Sequence, residues 1–206
     1  YAQTWLFVLG GGPGGGTVAT VDRFDTVAGV WAAVAPMQSA RRCFGAVYLD
    51  GCIYAVGGRA GDQEQSSVER YDPATNAWTF VAAMNEARAG HAVCVLKGRI
   101  YAVGGFGVGG LLSSVERYDP STDSWTLVAP MQTARADYAV CVLDGCIFVS
   151  CGTIARRQFV ASMEKYDPLT DSWSAVAPMQ HARAAHGMAV LDGHIYVAGG
   201  EAMNED

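Results

Sequence analysis

Apolar residues in this chain fall in short runs, within which polar and apolar positions often alternate. In one representative stretch the runs cover 91–96, 100–105, 114–118 and 125–128. Runs of this kind are typical of β-strands, and no stretch of useful length shows the 3.6-residue period of a helix. Pro120 follows the third run and would end a strand there, because proline has no N–H to donate. The pattern therefore predicts four short strands and little helix.

A two-residue turn separates the first two runs of each such stretch. The turn is Lys97-Gly98 here, and its equivalents are Asp50-Gly51, Asp144-Gly145 and Asp192-Gly193. Asp-Gly between two apolar runs predicts a β-hairpin with a type I′ turn, in which both central residues have positive φ.

The whole pattern recurs with a period of 47 or 48 residues. A glycine pair, an aromatic residue, a tryptophan, a methionine and an arginine all keep this spacing. The recurrent tryptophans and arginines are Trp31, Trp78, Trp125 and Trp173, and Arg41, Arg88, Arg135 and Arg183. Independent residue types that share one period indicate a repeat protein. We interpret these as fold positions and expect each arginine to bond carbonyls or a carboxylate.

A four-stranded unit cannot bury both of its faces alone, and radial stacking of such units buries them in a β-propeller. We therefore predict an all-β propeller of four-stranded antiparallel blades. Its units are approximately 1–37, 38–84, 85–131, 132–179 and 180–206, of which the first and last are partial. The strands number one more than four blades require. We therefore expect about four repeats of a larger propeller.

Composition and charge exclude several classes of function. The 206 residues are 50% hydrophobic and 17% charged, which is too apolar for a disordered chain. A net charge of −6 disfavours nucleic acid as a partner, and no apolar run is long enough for a membrane helix. The six cysteines form no CxxC pair, and no signal peptide is visible. We predict a cytoplasmic, reducing location.

Three kinds of segment resemble the Kelch repeat, and most of all the Kelch domains of BTB–Kelch proteins. They are Ile-Tyr-Ala-Val-Gly-Gly at 53–58, Ser-Val-Glu-Arg-Tyr-Asp-Pro at 67–73 and Trp-x-x-Val-Ala-Pro-Met at 125–131. The resemblance covers essentially the whole chain. It implies a propeller of five to seven blades and a protein–protein interaction module.

The same resemblance suggests which partners the module has. A BTB–Kelch parent implies substrate recognition for a Cullin-RING ubiquitin ligase, reached through a domain outside this sequence. A cytoskeletal or scaffold Kelch protein without a ligase role stays open, and a propeller enzyme is the least favoured alternative. The sequence contains no HExxH, P-loop or GxSxG, and we predict no catalytic residue, metal or cofactor.

In the resembled family, two sets of loops on one propeller face bind short peptide motifs. The corresponding residues here are Arg42, Arg59, Phe106, Asp137, Arg156 and Arg157. Arginines at these positions imply contacts with an acidic peptide, and Phe106 would pack against it. Asp137 could select a basic or hydroxyl group. The alternative is that each is an ordinary solvated loop residue.

Cys151 departs from the repeat because it replaces the first glycine of a pair. Arg156 and Arg157 follow in the same loop, and nearby cations favour a reactive thiolate. The two interpretations are a small buried apolar residue and a redox or electrophile sensor.

Overall fold

The computed structural model describes residues 4–12, 16–155 and 158–202, and all the regular elements within them are β-strands. In chain order the strands are β1 (Trp5–Leu9), β2 (Val21–Asp25), β3 (Val30–Val34), β4 (Gly45–Leu49), β5 (Cys52–Val56), β6 (Arg59–Ala60), β7 (Gln63–Glu64), β8 (Val68–Asp72), β9 (Ala77–Val81), β10 (Ala92–Leu96), β11 (Arg99–Gly107), β12 (Gly110–Asp119), β13 (Ser124–Val128), β14 (Ala139–Leu143), β15 (Cys146–Ser150), β16 (Thr153–Ala155), β17 (Gln158–Phe159), β18 (Met163–Asp167), β19 (Ser172–Val176), β20 (Arg183–Ala184), β21 (Gly187–Leu191), β22 (His194–Ala198) and β23 (Glu201–Ala202). These described residues hold no helix of a length and apolarity suited to crossing a membrane.

Among the eight sheets of the described residues, five larger or central antiparallel sheets follow one another along the chain, and the other three are two-residue or three-residue strand pairs in the loops. The three complete sheets have the strand orders β4-β5-β8-β9, β10-β11-β12-β13 and β14-β15-β18-β19. The first sheet is β1-β2-β3, and the last is the pair β21-β22. The first strands β4, β10, β14 and β21 lie next to one another in that order. The sheets therefore stack radially, which confirms the predicted all-β propeller of four-stranded antiparallel sheets.

The predicted turns and strands are found where the pattern places them. Lys97 and Gly98 have φ angles of 50° and 69°, so both turn residues have the predicted positive φ. The third sheet extends further than predicted, because β11 and β12 continue to pair beyond a register shift between Val103 and Gly105. The equivalent loops of two other sheets form the short hairpins β6–β7 and β16–β17. These hairpins carry no alternating apolar pattern, and the sequence therefore does not predict them.

The core lies between neighbouring sheets, where each buried tryptophan reaches back to the sheet before it. The indole N–H groups of Trp78, Trp125 and Trp173 donate to the carbonyls of Ala35, Ala82 and Ala129, each at 2.9 Å. Trp125 is 9% exposed, whereas Trp31 in the first sheet is 53% exposed. Each of these tryptophans is thus buried and hydrogen-bonded by residues that follow the last strand of the preceding sheet.

A buried arginine closes each complete sheet. Arg41 donates to the carbonyl and hydroxyl oxygens of Ser67 and, at 2.6 Å, to Oε1 of Glu69. Glu69 also accepts the backbone N–H groups of Gln38 and Ser39 at 2.6 and 3.0 Å. We call this arrangement, a carboxylate held by a guanidinium and two backbone N–H groups, a carboxylate socket. The other two sockets join Arg88 to Glu116 at 2.9 Å and Arg135 to Glu164 at 2.7 Å. The predicted role of the arginine is confirmed.

An aromatic ring at the start of each first strand packs against the preceding sheet. Tyr138 donates its hydroxyl hydrogen to the carbonyl oxygen of Val103, and Phe44 and His91 occupy the equivalent positions. His91 is 7% exposed, and burial followed by the nearby Arg88 lowers the pKa of its imidazole from 6.5 to about 3. The fold therefore accommodates this imidazole in its neutral form.

We expect His91 to make the protein acid-sensitive. Below pH 6.5 the unfolded chain takes up a proton that the folded chain does not bind until the pH nears 3. Well above pH 6.5 the imidazole is neutral in both states, so the titration of His91 does not change the free energy of unfolding there. It falls as the pH decreases through this window, by at most about 1.4 kcal/mol per pH unit. Urea unfolding of the wild type and His91→Phe across the window measures this effect.

Phenylalanine is the matched replacement because Phe44 fills the same position one unit earlier. Carboxylates titrate in both proteins. The difference in free energy of unfolding between the wild type and the variant therefore reports the protonation of the imidazole alone. We expect the variant to gain stability relative to the wild type as the pH falls. A difference that stays constant with pH would contradict the assignment.

Candidate partner-binding face

Short backbone bridges join the two sets of loops on one face of the propeller. Arg42 and Arg59 each donate a backbone N–H to the carbonyl of the other, at 3.0 and 2.8 Å. Equivalent bridges join Ala89 to Phe106, Ala136 to Thr153, and β20 to β23. The predicted residues Arg42, Arg59, Phe106 and Asp137 therefore lie on loops of the same face. We call the residues 42–43, 59–64, 89–90, 106, 136–137, 153, 184–185 and 201 the loop face.

A chain of backbone hydrogen bonds crosses the loop face from sheet to sheet. Gly90 donates to Cys43 at 2.8 Å, Asp137 donates to Gly90 at 3.0 Å, and Ala185 donates to Asp137 at 2.7 Å. All four residues have φ between 51° and 59°, the left-handed conformation. The loops are thus tied to one another by main-chain atoms. Sequence reasoning did not find this feature, because cysteine and alanine give no signal for a left-handed backbone.

Arg59 already has a carboxylate partner on its own hairpin. Its Nε and Nη2 atoms donate to Oε1 of Glu64 at 3.1 and 2.6 Å. The pKa of Glu64 is lowered, first by a backbone hydrogen bond and then by the hydrogen bond from Arg59. The Arg59 side chain is 35% exposed. An acidic partner residue would therefore have to share this guanidinium with Glu64.

Arg42 is less firmly engaged. Its Nη2 atom lies 3.6 Å from Oδ1 of Asp62, whose side chain is fully exposed. Ion pairs of this kind contribute little to stability, because water screens them and the side chains lose freedom. Arg42 is consequently the more weakly paired of the two guanidiniums, although its side chain is 24% exposed and that of Arg59 is 35% exposed.

The side chains of Phe106 and Asp137 both lie close to Gly90. A Cβ atom at Gly90 would stand 2.9 Å from Oδ1 of Asp137 and 3.4 Å from the ring of Phe106. Glycine at this position therefore allows both side chains to approach the backbone closely, and we call Gly90, Phe106 and Asp137 the Gly90 cluster. Desolvation raises the pKa of the Asp137 carboxyl, Arg59 opposes this, and Glu201 adds to it. This carboxylate forms no hydrogen bond or ion pair with other described residues, so it can accept one from a partner.

The remaining sequence predictions concern one loop of the fourth sheet. Arg156 and Arg157 lie outside the described residues. Cys151 is fully buried, and its Sγ atom lies 3.3 Å from Sδ of Met179. Burial raises the pKa of the Cys151 thiol, although Arg183 opposes the effect. These surroundings favour the small buried residue over a reactive thiolate.

Two further observations concern catalytic or metal chemistry in the described residues. Over residues 4–12, 16–155 and 158–202, no group of three or more His, Cys, Asp or Glu side chains is placed to hold a metal. Ser150 lies 2.8 Å from Nε2 of His186, as in a nucleophile–base pair, but Ser150 is fully buried between two sheets. A substrate could not reach this hydroxyl.

Comparison with known proteins gives one family and one fold. A family model described as the KLHDC2/KLHL20/DRC7 Kelch-repeats domain matches residues 6–200. Among 249 matching chains of solved structures, one described as "Structure of YjhT" superposes with a TM-score of 0.81 at 20% sequence identity. The alignment covers 88% of this chain and 66% of that one, so this chain spans just under two thirds of its length. At this identity the likeness shows the fold alone. No curated protein matches.

Proposed function

This chain belongs to the Kelch-repeat domain family, and from that premise we propose that its loop face binds a short segment of a partner protein. Kelch-repeat domains generally act as protein-interaction modules. The observation that carries the proposal is the Gly90 cluster, in which an aromatic ring and a carboxylate without a hydrogen-bond partner among the described residues lie close to the same glycine on the loop face. Loops on a rigid scaffold commonly carry binding residues, and aromatic side chains are common anchors at interfaces.

The charges on the loop face indicate a mixed partner motif. Arg42 is available to an acidic residue, whereas Arg59 is shared with Glu64. Asp137 accepts a hydrogen bond from a basic, amide or hydroxyl group that approaches the Gly90 cluster from solvent, and Phe106 packs against the apolar part of that group. The motif therefore combines one donor for Asp137 with one acidic residue for Arg42.

A non-catalytic role fits the buried position of Ser150, which separates the one nucleophile–base pair noted above from solvent. The six unpaired cysteines fit a reducing, cytoplasmic location. We further propose that the partner is a substrate of a Cullin-RING ubiquitin ligase, to which a domain outside these 206 residues would connect. This step is supported by the resemblance to BTB–Kelch proteins alone.

The test replaces Phe106 and compares it with a matched aromatic elsewhere. Short peptides are selected by display on the purified chain, and the affinity of each selected peptide is then measured. Because Phe106 and Asp137 supply the side chains of the Gly90 cluster, we expect Phe106→Ala and Asp137→Asn each to weaken binding at least about tenfold, as is common for central anchors. The control Phe80→Ala removes a ring that is 52% exposed on the outer strand β9 and should leave the affinity unchanged.

Unfolding curves of all three variants show whether the fold is intact. Binding that survives both loop-face variants, or that is lost with Phe80→Ala, would contradict the proposal. Capture from cell lysate with the wild type and Phe106→Ala then identifies the class of partner. Ubiquitin-ligase substrates support the adaptor role, and cytoskeletal proteins support the scaffold alternative.

A further inference from the structure

The two side chains of the Gly90 cluster are not repeated in the other sheets. The residues equivalent to Asp137 are Cys43, Gly90 and Ala185, and those equivalent to Phe106 are Arg59, Thr153 and Glu201. The backbone hydrogen bonds at these positions recur from sheet to sheet, although the side chains differ. The fold therefore requires neither a carboxylate nor an aromatic ring here, and both side chains are available for recognition.

The main chain fixes the directions of both side chains. Asp137 donates its backbone N–H to the carbonyl of Gly90 at 3.0 Å, and its own carbonyl accepts the N–H of Ala185 at 2.7 Å. Phe106 exchanges both of its backbone hydrogen bonds with Ala89, at 2.9 and 2.7 Å. A ligand therefore does not have to order this part of the loops, which lowers the cost of binding.

The charge of the Asp137 carboxylate is not compensated by an ion pair among the described residues. Desolvation raises the pKa of this carboxyl, Arg59 opposes the effect, and Glu201 adds to it. The guanidinium of Arg59 is itself held by Glu64 at 2.6 Å, so its charge is already paired. Because a partly desolvated carboxylate is stabilised by an opposite charge, a cation is favoured over a neutral amide or hydroxyl as its ligand.

The ring of Phe106 selects among cations. A Cβ atom at Gly90 would lie 2.9 Å from Oδ1 of Asp137, and 3.4 and 3.7 Å from Cδ2 and Cε2 of Phe106, so the carboxylate and the ring border the same point. A guanidinium is planar, stacks on an aromatic face and donates two parallel hydrogen bonds to a carboxylate. An ammonium is a compact and strongly hydrated point charge, which gains less from the ring.

We propose that the Gly90 cluster is a receptor for an arginine side chain of the partner segment, an assignment that rests on the proposed binding role of the loop face. The guanidinium stacks on Phe106 and donates to the carboxylate of Asp137. Arginine is thus the hydrogen-bond donor of the mixed motif, and the acidic residue of that motif pairs with Arg42. The family resemblance implied an acidic peptide, to which this site adds a cationic anchor.

The test uses the peptides selected by display on the wild-type chain, which we expect to share an arginine. Each peptide is made again with citrulline at this position, which keeps the shape of the side chain but is neutral, and with lysine, which keeps the charge but not the planar group. We expect citrulline to weaken binding at least about tenfold, because the charge-assisted hydrogen bonds to Asp137 are lost. Lysine should give an intermediate affinity.

Variants of the chain locate the contact. Asp137→Asn should weaken binding of the arginine peptide about as much as citrulline does. Combining the two changes should add little, because both remove the same interaction. Phe106→Leu keeps an apolar side chain but has no aromatic face, so it should weaken binding of the arginine peptide more than that of the lysine peptide.

Asp144→Asn is the matched control for a change of charge. Asp137 precedes the strand β14 and Asp144 follows it, so the two carboxylates lie at opposite ends of the same strand. Asp144 has a φ of 50°, a left-handed conformation that asparagine also adopts readily. The substitution removes the same charge as Asp137→Asn and should leave the affinity unchanged. Unfolding curves of all the variants show that the fold is intact.

The outcomes separate this site from the function of the whole face. Peptides that require Phe106 but contain no arginine would overturn the arginine site and leave the loop-face function standing. Equal binding of the citrulline and arginine peptides, or additive losses from citrulline and Asp137→Asn, would do the same. A similar loss with Asp144→Asn would assign the effect to overall charge and so overturn the site. Failure to select any peptide, or full binding to Phe106→Ala, would overturn both proposals.

Discussion

Replacing Glu69 with alanine is expected to lower the free energy of unfolding by about 3–5 kcal/mol, the usual cost of removing one partner of a buried ion pair. Both side chains of the Arg41–Glu69 pair are fully buried, and the arginine would be left without a counterion in the core. The backbone N–H groups of Gln38 and Ser39 would also lose their acceptor. Urea unfolding followed by tryptophan fluorescence measures the loss.

The third sheet supplies an internal comparison. Arg88 has a second carboxylate, that of Glu86, 3.5 Å from its Nη2 atom. Glu116→Ala should therefore cost less than Glu69→Ala, because Glu86 partly compensates the arginine. Asp62→Ala, at an ion pair whose carboxylate is fully exposed, should produce no measurable change. Equal losses at Glu69 and Asp62 would show that burial of the socket does not determine its energetic role.

The second large effect is expected at Trp125. Trp125→Ala removes a large buried ring and the indole bond to Ala82, and such truncations cost about 3–5 kcal/mol. Trp31→Ala is a closely matched control, since both residues occupy the same position on the last strand of their sheets. Trp31 is 53% exposed and packs mainly on Phe24, with ring centroids 5.1 Å apart.

We therefore expect Trp31→Ala to cost about 1 kcal/mol or less, as is usual for partly exposed positions. Unfolding midpoints and slopes of both variants in the same denaturant give the two values. If the two losses were equal, contact with the preceding sheet would not be the source of the stability of Trp125.

Much of the fold could be predicted from the sequence, because each strand and turn is specified by neighbouring residues. Asp-Gly and Lys-Gly turns require positive φ at adjacent positions, and the observed angles follow from that local requirement. The arginine role could also be predicted, since a charge that recurs at a fold position must be satisfied. The repeat extends these predictions to the whole chain, because the strands and turns predicted for one unit apply to the equivalent residues of the others.

The charge balance of the loop face could not be predicted in the same way. The resemblance to the Kelch family implied that Arg59 contacts acidic ligands, but the hairpin β6–β7 brings Glu64 to it. That pairing depends on the register of a loop without apolar alternation, and sequence patterns do not define such a register. The position of Asp137 beside Phe106 likewise depends on Gly90, whose importance is visible only when the loops are brought together.

The chain of backbone hydrogen bonds through Cys43, Gly90, Asp137 and Ala185 has a consequence for how this face can diversify. Main-chain atoms form the platform, so the four side chains can be exchanged without breaking it. The left-handed φ angles limit the exchange, because glycine, asparagine and aspartate adopt them readily and β-branched residues do not. The side chains at these four positions can thus change one at a time, among the few residue types that adopt a left-handed backbone, while the hydrogen-bonded main chain stays the same.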